Sequence, residues 1–140
     1  MKFLLAVDGS EHALKAAKAA SRLLKDCGGE VILISVVQDI APMGIWEMGH
    51  QEKVLKSLHA RAREAVEEAK KLLKAEGVSV RTTLISTGEP ADEIIRMAKK
   101  ETVDMIVIGS RGLTGLPQYL LGSVAHKIVT HAHCSVLVIK

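Results

Sequence analysis

The chain has 140 residues, of which 48% are hydrophobic, 25% charged and only 2% aromatic, with a formal net charge of +3. That length builds one domain around one core, and a composition so close to average excludes disorder and low complexity. Mild, interleaved charge and a single Phe, Tyr and Trp give no stacking platform for bases, so nucleic acid is not an expected partner.

The opening apolar run, FLLAV at 3–7, reads as a strand. It is too brief for a signal-peptide core or for a membrane span of about 20 residues, so a cytoplasmic protein without a membrane segment is expected. Leu14, Ala17, Ala20 or Ser21, and Leu24 then recur at threes and fours, predicting a helix with Ser10 as N-cap and the CGG at 27–29 as its stop. VILISVV at 31–37 is a second strand. From Gln38 to His50 runs the one long irregular connection, with Met43, Trp46 and Met48, open to two readings: a partner-docking flap or a segment packed on the core.

Leu55, Leu58, Ala62, Ala65, Val66, Ala69, Leu72 and Leu73 form the stripe of a long helix ended by Gly77, its opposite face charged and solvated. VSVRTTLIS at 78–86 follows as a strand, then a helix from Pro90 to Lys100 that turns Ile94, Ile95 and Ala98 to the sheet. MIVI at 105–108 is the fourth strand. A helix from about Gly122 carries Val124, Ala125, Ile128 and Val129, and SVLVI at 135–139 closes the chain. Strictly alternating strands and helices, with near-continuous apolar strands, predict an open parallel α/β sheet covered on both faces. Cys27 and Cys134 lack any C-x-x-C spacing and read as small apolar side chains; in HAHC, at 131–134, residues two apart diverge, so no metal ligands are assigned.

In such a sheet ligands bind beyond the carboxyl ends of the strands, where the winding reverses. Two loops qualify: AVDGS after the first strand and GSRGLTGLPQYLLGS, residues 109–123, after the fourth. Gly109 and Gly112 permit positive φ and close backbone approach, while Gly122 and Ser123 stand where a helix begins and its open N–H groups favour an anion. Arg111 and the hydroxyls of Ser110, Thr114 and Ser123 supplement them. The pattern is neither G-K-[ST] nor G-x-G-x-x-G. Asp8 stays open between a ligand contact and a turn residue.

Gly109, Gly112, Gly122 and Ser123 reproduce the spacing glycine, two residues, glycine, nine residues, glycine, serine, in which the sequence resembles the ATP-binding branch of the universal stress proteins. AVDGSEHALKAAKAA, TGEPADEII and SVLVIK extend the resemblance over the whole chain, residues 1–140, as a single domain. The resemblance implies a Rossmann-like, adenine nucleotide alpha hydrolase-like sheet of strand order 3-2-1-4-5. It implies that Asp8 and Val36 receive adenine, and that Gly109, Arg111, Gly112, Gly122, Ser123 and the adjoining Val124 hold ribose and phosphates. ATP with Mg²⁺ or Mn²⁺ is the implied ligand, without a carboxylate cluster to name the cation's protein ligands, and a homodimer through strand 135–140 is the implied assembly. The expected function is a stress-response switch that acts on an unknown protein partner. A slow or partner-dependent ATPase and a nucleotide-free dimeric scaffold are the alternatives. No catalytic residue is assigned, because nothing in the sequence positions a water for hydrolysis.

Overall fold

The computed structural model describes residues 1–40, 48–112, 117 and 120–140. The strands are β1 (Lys2–Ala6), β2 (Glu30–Gln38), β3 (Ser79–Gly88), β4 (Met105–Gly109) and β5 (Ser135–Ile139). Between them lie α1 (Glu11–Cys27), α2 (Met48–Ala75), α3 (Pro90–Lys100) and α4 (Ser123–His131). All strand pairings are parallel, in the order β3-β2-β1-β4-β5, as the resemblance implies.

Strand periodicity divides the core in two. Phe3, Leu5, Val7, Val31, Leu33 and Val107 point to one face, against α1 and α2. Leu4, Ala6, Ile32, Ile34, Ile106 and Ile108 point to the other, against α3 and α4. Successive residues 3–7, 31–35 and 106–108 of the three inner strands are therefore buried, which is why those runs are continuously apolar rather than alternating. The edge strand β3 instead alternates, leaving Ile85 exposed.

The helices start and stop on local chemistry. The Ser10 side chain accepts from Ala13 N at 3.2 Å, and Gly28 ends α1 at φ 70°, a conformation costly for a residue with a side chain. In α3 the N-cap is Glu89, whose carboxylate accepts from Asp92 N at 2.8 Å, with Pro90 opening the helix. The α2 stripe is buried at Ala62, Ala65, Val66, Ala69 and Leu73 and half-buried at Leu55, Leu58 and Leu72.

Two readings are corrected. Val129, grouped with the apolar positions of α4, is half exposed. Cys27 is exposed rather than packed, its thiol donating to Leu23 O at 2.9 Å. Met43 and Trp46 lie outside the described residues, as does the Met48 side chain.

Because β1 is central, with β2 on one side and β4 on the other, the carboxyl ends of β1 and β4 are neighbours at the point where winding reverses. Replacing Ser10 with alanine is expected to cost about 1 kcal/mol through loss of the α1 cap, measured as a lower urea midpoint at unchanged slope.

Candidate functional site

A cleft of ≈ 100 Å³ opens at that point. Small-molecule sites usually run from about 300 Å³ upward, so this cleft alone is small for a complete ligand. One wall is aliphatic, built from Ala6, Ile34, Val36, Ile94, Ile108 and Ala125. The other carries the turn after β1 and the start of the β4–α4 connection, with Asp8, Ser10, Ser110, Arg111 and Gly122.

The turn after β1 is locally determined. Gly9 adopts φ 84°, and Asp8 Oδ1 accepts from Ser10 N at 2.9 Å. This is the turn role left open for Asp8, and it occupies one carboxylate oxygen. The second, Oδ2, lies 2.8 Å from where a Cβ on Gly112 would stand. The loops after β1 and β4 thus meet, as the winding requires.

Gly109 and Gly112 do not adopt positive φ, contrary to expectation; close approach is what they provide. A Cβ at Gly109 would sit 2.8 Å from the carbonyl carbon, carbonyl oxygen and Cβ of His12. Gly109 therefore lets the first turn of α1 lie on the end of β4. Sequence spacing alone does not separate this packing role from ligand contact.

Gly122 is the N-cap of α4, with φ −60° and ψ 152°, and no side chain caps that end. Its N–H donates to Ser110 O at 2.7 Å, and Ser110 N donates to Ile139 O at 2.7 Å. One residue therefore ties the cleft to both the α4 N-terminus and the end of β5. The helix is further held by Lys127, whose Nζ lies 2.8 Å from Asp92 Oδ1 and 3.2 Å from Glu89 Oε2. These carboxylates, Asp92 foremost, keep the ammonium above its ordinary pKa. In the first turn of α3, Arg96 and the Ser86 hydroxyl hold Glu93 below the usual carboxylate range, fixing the helix that presents Ile94.

Of the residues singled out from sequence, Asp8, Val36, Gly109, Arg111, Gly122 and Val124 line the cleft. Gly112 stands against Asp8, and Ser123 is the exposed first residue of α4. Thr114 lies outside the described residues. The aliphatic wall was not found from sequence, apart from Val36, because an apolar residue facing a cleft has the same pattern as one facing the core.

The donor set suits an anion better than a bare cation. Ser110 Oγ, buried and without a hydrogen-bond partner among the described residues, lies beside the open end of α4. Among the described residues no group of three His, Cys, Asp or Glu side chains is placed to hold a metal ion. A magnesium-like ion here would take its ligands chiefly from phosphate oxygens and water.

A family model described as the universal stress protein family matches residues 1–140. Universal stress protein MJ0531 of Methanocaldococcus jannaschii is 40% identical over 140 residues, which cover 99% of this chain and 81% of that protein. Among solved structures, protein MJ0577 of the same organism superposes with a TM-score of 0.84 at 32% identity, covering 99% of this chain and 94% of that one. A universal stress protein from Archaeoglobus fulgidus, in complex with dAMP, shares the fold with a TM-score of 0.71 at 24% identity, covering 100% and 98% of the two chains.

Proposed function

Since the chain belongs to the universal stress protein family, we propose that its cleft binds an adenine nucleotide, ATP in the first instance, and that occupancy switches its contacts with another protein. The observation that carries this reading is the meeting, at one strand-end cleft, of an aliphatic pocket with an uncapped helix N-terminus. The dAMP held by the Archaeoglobus protein supports the ligand class.

In this reading the base enters against Val36 and its aliphatic neighbours, with Asp8 at the mouth. The sugar and phosphates pass over Gly109, Arg111 and Gly112 to Gly122, Ser123 and Val124. Helix-terminal N–H groups contribute only about 0.3–2 kcal/mol toward an anion, so affinity depends on several donors acting together. Mg²⁺ or Mn²⁺ travels with the triphosphate. The switch follows from connection: Ser110 is hydrogen-bonded to both Gly122 and Ile139, so a ligand seated at the start of α4 bears on the edge strand β5.

The test is to heat-denature the purified protein and identify what it releases by ion-exchange chromatography, followed by titration of the stripped chain. Release of ATP, or saturable binding on adding it back, is expected. No released nucleotide together with no titratable binding would leave a nucleotide-free scaffold and overturn the proposal.

Cytoplasmic location and a homodimer through β5 belong to the same reading. No helix among the described residues is long and apolar enough to cross a membrane. β5 is an edge strand whose Val136, Leu137, Val138 and Ile139 are only partly buried, and an apolar edge invites pairing. Lys127 faces α3, and Val129 lies roughly 200° further round α4, on the side away from α3. Val129 is 50% exposed there. Val129→Asp is therefore expected to convert the dimer to monomer in sedimentation velocity without loss of helical signal; an unchanged sedimentation coefficient would remove this face from the interface.

A further inference from the structure

We infer that the outer edge of β3 is a docking site for an extended acidic segment of another protein, which adds to the sheet as a further strand with its carboxylates on the α2 side. The site is separate from the cleft between β1 and β4, and nothing in it depends on the nucleotide reading.

β3 ends the sheet, so its outer side has no strand partner among the described residues. An open edge is a template for pairing, and folded proteins usually blunt it with a charge, a proline or a bulge. β3 carries such a device only at its beginning. The register shift between Val31 and Ile32 leaves Arg81 over as an extra residue, and its guanidinium lies 2.7 Å from Glu30 Oε1. From there on, residues 82–88 pair in unbroken register with 32–38, and their sequence, TTLISTG, has no charge and no proline. Gly88 O accepts from Asp39 N on the β2 side. Main-chain groups of successive residues alternate between the two sides of a strand, so the N–H and C=O of Thr83, Ile85 and Thr87 point outward.

The side chains of these three residues lie on the α2 face, because they pair with Leu33, Ser35 and Val37, and Leu33 belongs to the core beneath α2. Ile85 and Thr87 are exposed there. A flank of α2 runs above them. Ala65 faces the turn after β1, 3.8 Å from where a Cβ on Gly9 would stand. Arg63, Lys70 and Lys74 lie roughly 140–180° round the helix from Ala65, past the buried Val66 and Leu73, and so overlook the β3 edge. All three are exposed, and between Arg63 and Lys74 the one acid on that flank, Glu67, leaves the row net positive. The rise from Arg63 to Lys74, about 16 Å, matches the roughly 13 Å of strand from Thr83 to Thr87. This cationic row selects the occupant. A second copy pairing edge to edge about a two-fold axis would bring two such rows together, whereas acidic side chains of a foreign strand meet the row with opposite charge. Strand addition takes its affinity from main-chain bonds and its specificity from alternate side chains, and the edge offers both.

The test is a fluorescence-polarisation titration of the full chain with two labelled peptides of about seven residues, one alternating Glu and Val and the other alternating Lys and Val, read alongside amide hydrogen exchange. Saturable binding of the Glu/Val peptide is expected, with the Lys/Val peptide about tenfold weaker and with exchange slowed at Thr83, Ile85 and Thr87. Ile85→Pro removes an outward N–H and sets a ring in the path of the incoming strand, so it should abolish binding at a thermal midpoint near that of wild type. Where the proline variant folds poorly, Arg63→Glu combined with Lys70→Glu leaves the edge intact and should reverse the preference between the two peptides. No saturation of wild type at millimolar Glu/Val peptide, equal affinity for the two peptides, or slowed exchange confined to other segments would each overturn the inference. Unchanged binding in a folded Ile85→Pro, or an unchanged preference in the double variant, would do the same. So would a sedimentation coefficient that falls in Ile85→Pro, since it would show a second copy of the chain seated on β3.

Discussion

Replacing Gly122 with valine is expected to weaken ATP binding by about a hundredfold while the far-ultraviolet circular dichroism stays that of wild type. The backbone at Gly122, φ −60° and ψ 152°, is open to any L-residue, so valine does not strain it. The obstacle is space. A Cβ there stands 3.1 Å from Ser110 O and 3.5 Å from Arg111 Cα, and both neighbours are main chain that moves only with the whole segment. The branched methyls push the 110–111 peptide away from the α4 N-terminus, separating the two groups of donors that the anionic tail needs together. The interior of α4 keeps its own hydrogen bonds, and Ala125 and Ile128 keep their packing. Undiminished affinity would show that the tail does not lie across this junction.

Gly109→Ala is expected to act on both stability and binding, lowering the thermal midpoint by several degrees and reducing nucleotide affinity at the same time. The added methyl would meet three atoms of His12 at 2.8 Å, two of them main chain. None belongs to a flexible side-chain end, so α1 has to back away from β4, and overpacking of this kind costs about 1–3 kcal/mol. The retreat carries the Asp8–Ser10 turn with it, since Ser10 caps α1 and donates its N–H to Asp8. Gly112→Ala is the control. Among the described residues its methyl meets only Asp8 Oδ2, the far end of a side chain that can rotate, so stability should hold while any effect falls on the ligand. Equal thermal losses in both variants would show that the Gly109 contact with α1 has no special weight.

The strands were legible because burial on both faces leaves a continuous apolar run, a signal carried by β1, β2 and β4. Helix ends were legible where a side chain fixes them: Ser10 at α1, and the Glu89–Pro90 pair at α3. Val129 was less so, since helical period places it on the apolar arc, but whether that arc is covered depends on what lies beside α4, which no local pattern encodes. The loops of the candidate site could be found from composition, since glycines and hydroxyls crowd one strand end. Its hydrophobic wall could not: Ile34 and Ile94 become cleft residues only through the strand order that brings β1, β2 and β4 together above α3. The same limit applies to Gly109, whose need for a missing side chain comes from His12, far away in sequence and adjacent in space.

The measurement that bears most directly on the cleft is calorimetric titration of the ligand-free chain with ATP in the presence of magnesium, run in parallel on wild type and Gly122→Val. One saturable site per chain in the wild type, lost in the variant, is the predicted result. No heat and no saturation up to millimolar ATP in the wild type, or the same isotherm for both proteins, would contradict a nucleotide held between the ends of β1 and β4.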